Sequence, residues 1–344
     1  MSQLDPPKNL TRNVLVGMLA GVFIASLCFY FQDLISESVF LGIEKYLFNL
    51  GGQIFKNLLL LIVVPLVFFS LVSGISSLSN MVKLGSIASK TVLLYLLTTA
   101  FAVMIAIFFG WVFNISGYEG EVASFNAPAG EASLYDTVLR VFPSNIFGDL
   151  IQYVLILIFV LLFHLFFTYS LVLKIFANLN PIIFFKKMRN VALFAFTTSS
   201  SAATIPVTLK TVTDELGVKK DVSSFVIPVG ATINMDGTAI MQGLATMFIA
   251  STVGVDLSMI EYIQIVLLAM VASIGAAAVP SAGTITLALI LSSLGLPLDA
   301  IGLILAVDRI LDMIRTSVNV SGDAAVACVV ANSEELLDKN IFNK

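Results

Sequence analysis

Hydrophobic positions along this chain fall in long runs, not in the short alternation of half-buried strands. Apolar segments of spanning length run from about 13 to 31, 41 to 73, 87 to 115 and 151 to 177. Crossing a bilayer takes roughly 20 consecutive apolar residues, so each segment predicts a transmembrane helix. The second contains Pro65, where the loss of a helix hydrogen bond predicts a kink. Past residue 190 the pattern changes. Gly, Pro, Ser and Thr cut the apolar stretches at 198–206, 230–238, 273–284 and 315–323. Helix breakers at membrane depth are tolerated only where the backbone is buried in protein or lines a polar cavity. The first half therefore predicts a scaffold, and the second half the place where something polar binds.

Composition agrees with this reading. The chain is 58% hydrophobic and 12% charged, with a mean hydropathy of +1.00, whereas soluble domains carry about 25% charged residues. An all-α polytopic membrane protein is expected, with the lipid bilayer as a partner and no nucleic-acid partner. The first apolar run, "VLVGMLAGVFIASLCFYF", is long enough to span and is followed by no small-residue cleavage site, so no cleavable signal peptide is expected. Cys28 and Cys328 lie in apolar runs and predict buried thiols, not a disulfide framework. The single histidine, His164, stands alone in "LLFHLFFTYSL". A helix–helix hydrogen bond is expected of it, with a proton relay or a metal site as the alternatives.

Charge placement sets an orientation. Lys8 and Arg12 precede the first span, and Lys83 and Lys90 lie between the second and third. Lys174, Lys186, Lys187 and Arg189 follow the fourth segment, and Lys210, Lys219 and Lys220 follow the first broken stretch. The loop after span three carries Glu119, Glu121, Glu131 and Asp136 with no Lys or Arg. The positive-inside rule places the N-terminus and the 79–90, 178–190 and 210–220 loops in the cytoplasm. The segment 191–212 then enters and leaves on one side, as a re-entrant hairpin with its tip in "SSSAATIP". A second segment, 260–296, has the same grammar around Pro280. Two hairpins, each followed by a span with polar residues at mid-depth, predict inverted repeats with a site where they meet.

The last span carries the densest chemistry. Asp308, Asp312, Arg315, Asn319 and Asp323 are spaced by 4, 3, 4 and 4, which at 100° per residue makes one stripe about 80° wide. Such a face does not look at lipid. One reading is a structural ion-pair ladder, since Asp312 and Arg315 can pair at i,i+3. The other is a ligand site. An arginine fork suits a carboxylate, and an aspartate beside it suits an ammonium group. In "ATINMDGTAIMQG", Asp236 is costly at mid-membrane, and Gly237 weakens a helix by about 1 kcal/mol relative to alanine. Asp236 and Asp323, flanked by Asn234 and Asn319, offer hard oxygen ligands for a cation such as Na⁺. Gly237 is expected to let the helix unwind and free carbonyls for the same ion.

The segments "SSSAATIPVTL", "GATINMDGTA", "ASIGAAAVPSAG" and "DRILDMIRTSVNVSGD" resemble the four signature segments of the dicarboxylate/amino acid:cation symporter family, over residues 10 to 331. The resemblance implies two re-entrant hairpins, two broken helices, and a transport domain that moves like an elevator on a scaffold within a homotrimer in the cell membrane. It divides the chain into scaffold spans at 10–78, span three at 84–116, an outer loop and shortened fourth span at 117–150, a span like the family's sixth at 151–178, and a transport core at 190–344. Within the core lie hairpin 1 at 191–212, a broken span at 223–250, hairpin 2 at 260–296 and the last span at 300–331.

Carried over position by position, Arg315 is similar to the arginine that holds the substrate side-chain carboxylate, and Asp312 to the aspartate that takes the α-amino group. Thr316, Asn319, Thr238, Ser199, Ser200, Ser201, Val279 and Gly283 match further substrate contacts. Gly230, Asn234, Asn319 and Asp323 match one sodium site. Tyr95, Thr98 and Thr99 match a second, with Asn234 and Asp236. Thr232, Ser273, Ile274 and Ala276 match a third. No cofactor is implied beyond Na⁺ as the coupling ion, and the chain is expected not to be an enzyme.

The sequence departs from the family pattern in four ways. Ala276 and Ala278 replace a threonine and a glycine of the second hairpin. Ser199 stands where archaeal members carry arginine. Arg309 either returns that charge to the cavity or partners Asp308. Finally, roughly two spans are missing where "FGDL" at 147–150 runs into "IQYVLILIF"; an omitted segment is favoured over a reduced scaffold, because that region contributes to the trimer interface. The expected activity is Na⁺-coupled uptake of aspartate or glutamate. A H⁺-coupled glutamate or C4-dicarboxylate symporter is the alternative, and an intramembrane aspartyl protease or an anion channel are remote ones.

Overall fold

The computed structural model describes residues 81–115, 146–275, 278 and 282–344, with scattered positions between 16 and 54 that include a six-residue helix, Glu37–Gly42. The first two spans with Pro65, the outer loop, and Ala276, Val279 and Pro280 lie outside the described residues, apart from those scattered positions. Among the described residues every regular element is helical; the lone β-bridge joins Val218 and Leu337.

Helix α1 is Met81–Val112 and α2 is Ile146–Phe163. A π-helical turn, His164–Thr168, leads into α3, Tyr169–Ala177, so that the fourth apolar segment is one rod with an extra residue wound into it. Two stretches, Gly85–Val112 and Gly148–Ala177, are long and apolar enough to cross a membrane. Exposed Leu93, Leu97, Phe101, Met104 and Phe108 recur at helical spacing along α1, an unusually large apolar stripe for a surface in water.

Helix α4 is Pro181–Thr198. Asn180 caps it through a side chain that accepts from Ile182 N at 2.9 Å, with Pro181 in the first turn. The helix thus starts ten residues before the expected hairpin boundary, and Lys186, Lys187 and Arg189 ride on its first turns, not in a loop. It ends at Ser199 in the left-handed region (φ 49°), and Ser200 caps α5, Ser201–Asp214, by accepting from Ala203 N. The tip is only Ser199 and Ser200; "AATIP" is already helical, because a serine cap satisfies the new helix at once.

Helix α6, Lys220–Ile233, stops at Asn234, and α7, Asp236–Thr252, begins two residues later. Helix α8 is Met259–Gly275, α9 is Ala282–Ser293, and a 3₁₀ turn, Leu298–Ala300, precedes α10, Ile301–Ser333. The expected interruption at 315–323 does not occur. There is no proline there, and Thr316, Ser317 and Ser321 return their hydroxyls to carbonyls four residues back, so the polar residues stay within helical geometry. Of the two helix breaks, the described residues contain the one at 234–235.

Helix α10 is the hub, packed on α3, α4, α6 and α7. Every residue of α7 from Asp236 to Ala250 is buried, its polar side chains included. Cys328 is buried and Cys28 partly so, both as free thiols. The C-terminal helix α11, Lys339–Asn343, is capped by Asp338 and strapped to the base of the first hairpin. Lys187 Nζ donates to the carbonyls of Glu215, Ile341 and Phe342, each at 2.8 Å. Gly217 (φ 74°) turns the chain beneath this strap, and a Cβ there would overlap the carbonyl oxygen of Asp338. Gly217→Ala is expected to lower stability by about 1–2 kcal/mol and to free the C-terminus for carboxypeptidase digestion, both measurable on the detergent-purified chain.

Candidate functional site

The stripe on α10 faces inward throughout. Arg315 is fully buried, and Asp308, Asp312, Thr316, Asn319 and Asp323 are buried with it. Arg315 Nη2 lies 2.8 Å from Asp308 Oδ1 and donates to Asp312 Oδ1 at 2.8 Å. The ion-pair reading of Asp312 and Arg315 is therefore realised, but it does not exhaust the guanidinium. Its Nε and Nη1 have no partner among the described residues. Buried donors are rarely left so. Arg309, by contrast, is exposed, so the partner of Asp308 is Arg315.

A pocket opens beside this cluster, lined by Ser199, Ser201, Met235, Thr238, Ala278, Ala282, Gly283, Asp312, Thr316 and Asn319. Asp312 thus reaches the pocket wall, whereas Arg315 is not among the lining residues and connects to the wall through its bond to Asp312. The Ser199 hydroxyl is buried and has no partner among the described residues. Ser200 does not line the pocket; its Oγ donates to the carbonyl of Ala278 at 2.8 Å, joining the two hairpins. The lining residues come from the first tip, the 234–235 break, the second hairpin and α10. Few polar groups converging from separate elements on a small concavity are the usual form of a ligand site.

A second cluster lies at the helix break. Asp236 Oδ1 accepts from Thr99 Oγ1 at 2.6 Å, and its Oδ2 accepts from Tyr169 Oη at 3.0 Å and meets His164 Nε2 at 3.1 Å. Asn234 Nδ2 donates to Asp323 Oδ1 at 2.9 Å, and Thr98 Oγ1 sits 3.5 Å from Asn234 Oδ1. Tyr95 Oη donates to the carbonyl of Val226. Asp236, Asp323, Asn234, Tyr95, Thr98 and Thr99 are all buried, and no lysine or arginine pairs with either carboxylate among the described residues. The chain unwinds at Asn234 and Met235, not at Gly237. Gly237 is in the first turn of α7, where its N–H donates to Asn319 Oδ1 at 2.8 Å and a side chain would meet the backbone of Arg315. Its role is close approach to α10. Asn319 is thereby shared between the pocket wall and the break.

The third group is not assembled through side chains. Thr232 and Ser273 turn their hydroxyls back onto carbonyls of their own helices, and Ile274 is exposed. Two contributors escaped sequence reasoning. Tyr169 reaches Asp236 only because the π turn reorients it. Gln242 Nε2 donates to the Gly283 carbonyl at 3.2 Å and Thr286 Oγ1 at 2.7 Å, holding α9 against α7. Gln242 stands within "NMDGTAIMQG", six residues after Asp236, and its amide at mid-membrane was the available signal.

The model of the sodium:dicarboxylate symporter family matches residues 10–152 and 146–333. This chain belongs to that family. Its members are transporters. The two matched stretches overlap at 146–152, next to the place where the sequence is expected to run short. Relatives include an excitatory amino acid transporter of Caenorhabditis elegans, 49% identical over 151 residues, which are 44% of this chain and 30% of the relative. Excitatory amino acid transporter 1 of Rattus norvegicus is 44% identical over 183 residues, 53% of this chain and 34% of the relative. Excitatory amino acid transporter 2 of Mus musculus is 50% identical over 151 residues, 44% of this chain and 26% of the relative. The alignments thus span about a third or less of each relative's length.

Gly230 tests how tightly the break is built. A Cβ there would overlap Asp323 Oδ1 and Tyr95 Oη, whereas Gly302, also helical, has nothing within 4 Å. Gly230→Ala is expected to cost about 1–3 kcal/mol by overpacking. Gly302→Ala should leave the unfolding midpoint unchanged or raise it slightly.

Proposed function

We propose that this protein takes up an acidic amino acid, aspartate or glutamate, coupled to Na⁺ moving down its gradient. The observation that carries the proposal is Arg315, buried with spare Nε and Nη1 donors and bonded to Asp312, which lines the pocket. A guanidinium held at depth with unused donors suits a carboxylate, and a carboxylate on the pocket wall suits an ammonium group. A plain dicarboxylate has no use for Asp312. The names of the relatives point the same way.

In this reading the hydroxyls of Ser199 and Ser201 and the backbone of Ser199 to Ser201, with Val279 and Gly283, complete the substrate site from the two hairpin tips, and Thr238, Thr316 and Asn319 complete it from α7 and α10. Na⁺ is cargo alongside the substrate. Asp236 with Thr98, Thr99, Tyr95 and Asn234 forms one cation site, and Asp323 with Asn319, Asn234 and Gly230 a second. Backbone carbonyls near Thr232, Ser273, Ile274 and Ala276 form a third. These are oxygen donors throughout, as a small hard cation prefers. The hairpins re-enter the membrane as inner and outer gates, and the core from 190 onward moves as an elevator on a scaffold that includes residues 10–78, within a trimer whose N-termini face the cytoplasm.

The deciding experiment is uptake of radiolabelled aspartate and glutamate into proteoliposomes, comparing an inward Na⁺ gradient with an inward H⁺ gradient. Accumulation driven by Na⁺ alone is expected; accumulation driven by H⁺ alone would sink the cation assignment and leave the substrate reading standing. Arg315→Ala is expected to weaken acidic substrate binding at least about 30-fold, equivalent to roughly 2 kcal/mol or more for a buried charge pair left half-made. Unchanged binding in that variant refutes the role of Arg315. Asp236→Asn should raise the Na⁺ concentration needed for uptake while leaving the helical content intact by circular dichroism.

A further inference from the structure

The π turn between α2 and α3 has no role in the reading above, and neither does His164, which begins it. In an α-helix, residues five apart point about 140° away from each other, so His164 and Tyr169 could not both address one atom. The extra residue of the π turn, closed by Tyr169 N–H bonding to the His164 carbonyl, removes that divergence. Both side chains converge on Asp236 Oδ2, at 3.1 and 3.0 Å. Their rings meet edge to face with centroids 4.8 Å apart. Both residues are fully buried. Such bulges cost helix regularity and concentrate at functional sites.

We infer that His164 is a positioning residue for the cation site, acting through Asp236. The inference rests on the proposed role of Asp236 as a cation ligand. With a proton on Nε2 the imidazole donates to Oδ2, and the Tyr169 hydroxyl donates to the same oxygen. The two donors occupy that oxygen and fix the plane of the carboxylate. Oδ1 is left toward Thr99 and the helix break, where Thr98 and Asn234 lie. The opposite ring nitrogen, Nδ1, is buried with no partner among the described residues. Orienting donors behind a metal ligand typically matter 10–100-fold in affinity. Tyr169 is itself wedged against α10, since a Cβ on Gly322 would overlap its hydroxyl. The carboxylate is thereby held from both sides.

The test is a pair of titrations on the full chain in detergent, read as the rise in unfolding midpoint: Na⁺ alone, then aspartate at saturating Na⁺. His164→Leu removes the donor at similar bulk; it is expected to raise the Na⁺ concentration for half-maximal stabilisation about tenfold, with aspartate affinity at saturating Na⁺ changed less than about twofold. His164→Gln, whose amide nitrogen sits near the position of Nε2, should recover most of the loss. An unaltered Na⁺ requirement in His164→Leu overturns the inference, as does a Gln variant no better than the Leu variant. If His164→Leu does not fold, Tyr169→Phe carries the test, expected to raise the Na⁺ requirement severalfold and overturning the inference if it does not. Asp236→Asn separates the two readings. A shift there with none in His164→Leu removes only the positioning role, whereas no shift in Asp236→Asn removes the cation site and the positioning role together.

Discussion

Charge buried out of reach of water governs how the described core is built. Among the described residues Asp236, Asp308, Asp312 and Asp323 are buried, and one guanidinium, that of Arg315, is buried with them. Taking an ion out of water costs several kcal/mol even after relaxation, so each carboxylate must find donors or positive charge. Asp308 and Asp312 share Arg315. Asp236 and Asp323 instead collect neutral donors: hydroxyls from Thr99 and Tyr169, an imidazole edge from His164 and the amide of Asn234. Neutral donors soften the cost of a buried negative charge without cancelling it, and the remaining imbalance favours positive charge arriving from outside.

The same constraint accounts for the backbone. Helix α10 stays regular through Asn319, Ser321 and Gly322 because its neighbours bury it on nearly every side. The irregularity is displaced onto the partner, where α6 ends and α7 begins. Asn319 then satisfies the first turn of α7 through the N–H of Gly237, so a polar side chain of the intact helix substitutes for the hydrogen bonds its broken neighbour lacks. Regular and interrupted helices are complementary here: one presents side chains, the other presents main chain.

Much of this was legible in the sequence, for identifiable reasons. The stripe from Asp308 to Asp323 was readable because helical spacing alone assigns a face, and the break near Asn234 because polar residues and glycine have no cheap place inside an apolar run. The turn between α4 and α5 falls at the small residues that marked the first tip. What escaped depended on tertiary context. Ser317 and Ser321 resemble helix breakers in a list of residues, yet their hydroxyls fold back onto their own helix. Gly237 looked like the hinge but is a contact, a distinction that only the position of Arg315 reveals. The start of α4 was misplaced because Asn180 and Pro181 cap a helix whose first turns are basic. Tyr169 was invisible because a π turn changes the angular register on which face assignments rest.

The strap at the C-terminus has a mechanical meaning. Lys187 on α4 grips main-chain carbonyls from both the end of the first hairpin and the last helix, and the Val218–Leu337 bridge and the bond from Lys219 N to the Leu336 carbonyl close the same seam. Six residues of chain separate Gly275 from Ala282 in the second hairpin, against two at the tip of the first. The first hairpin is thus moored at its base and cinched at its tip, and its displacement would carry the chain terminus along. A fluorophore on α11 would serve as a reporter of where that hairpin sits.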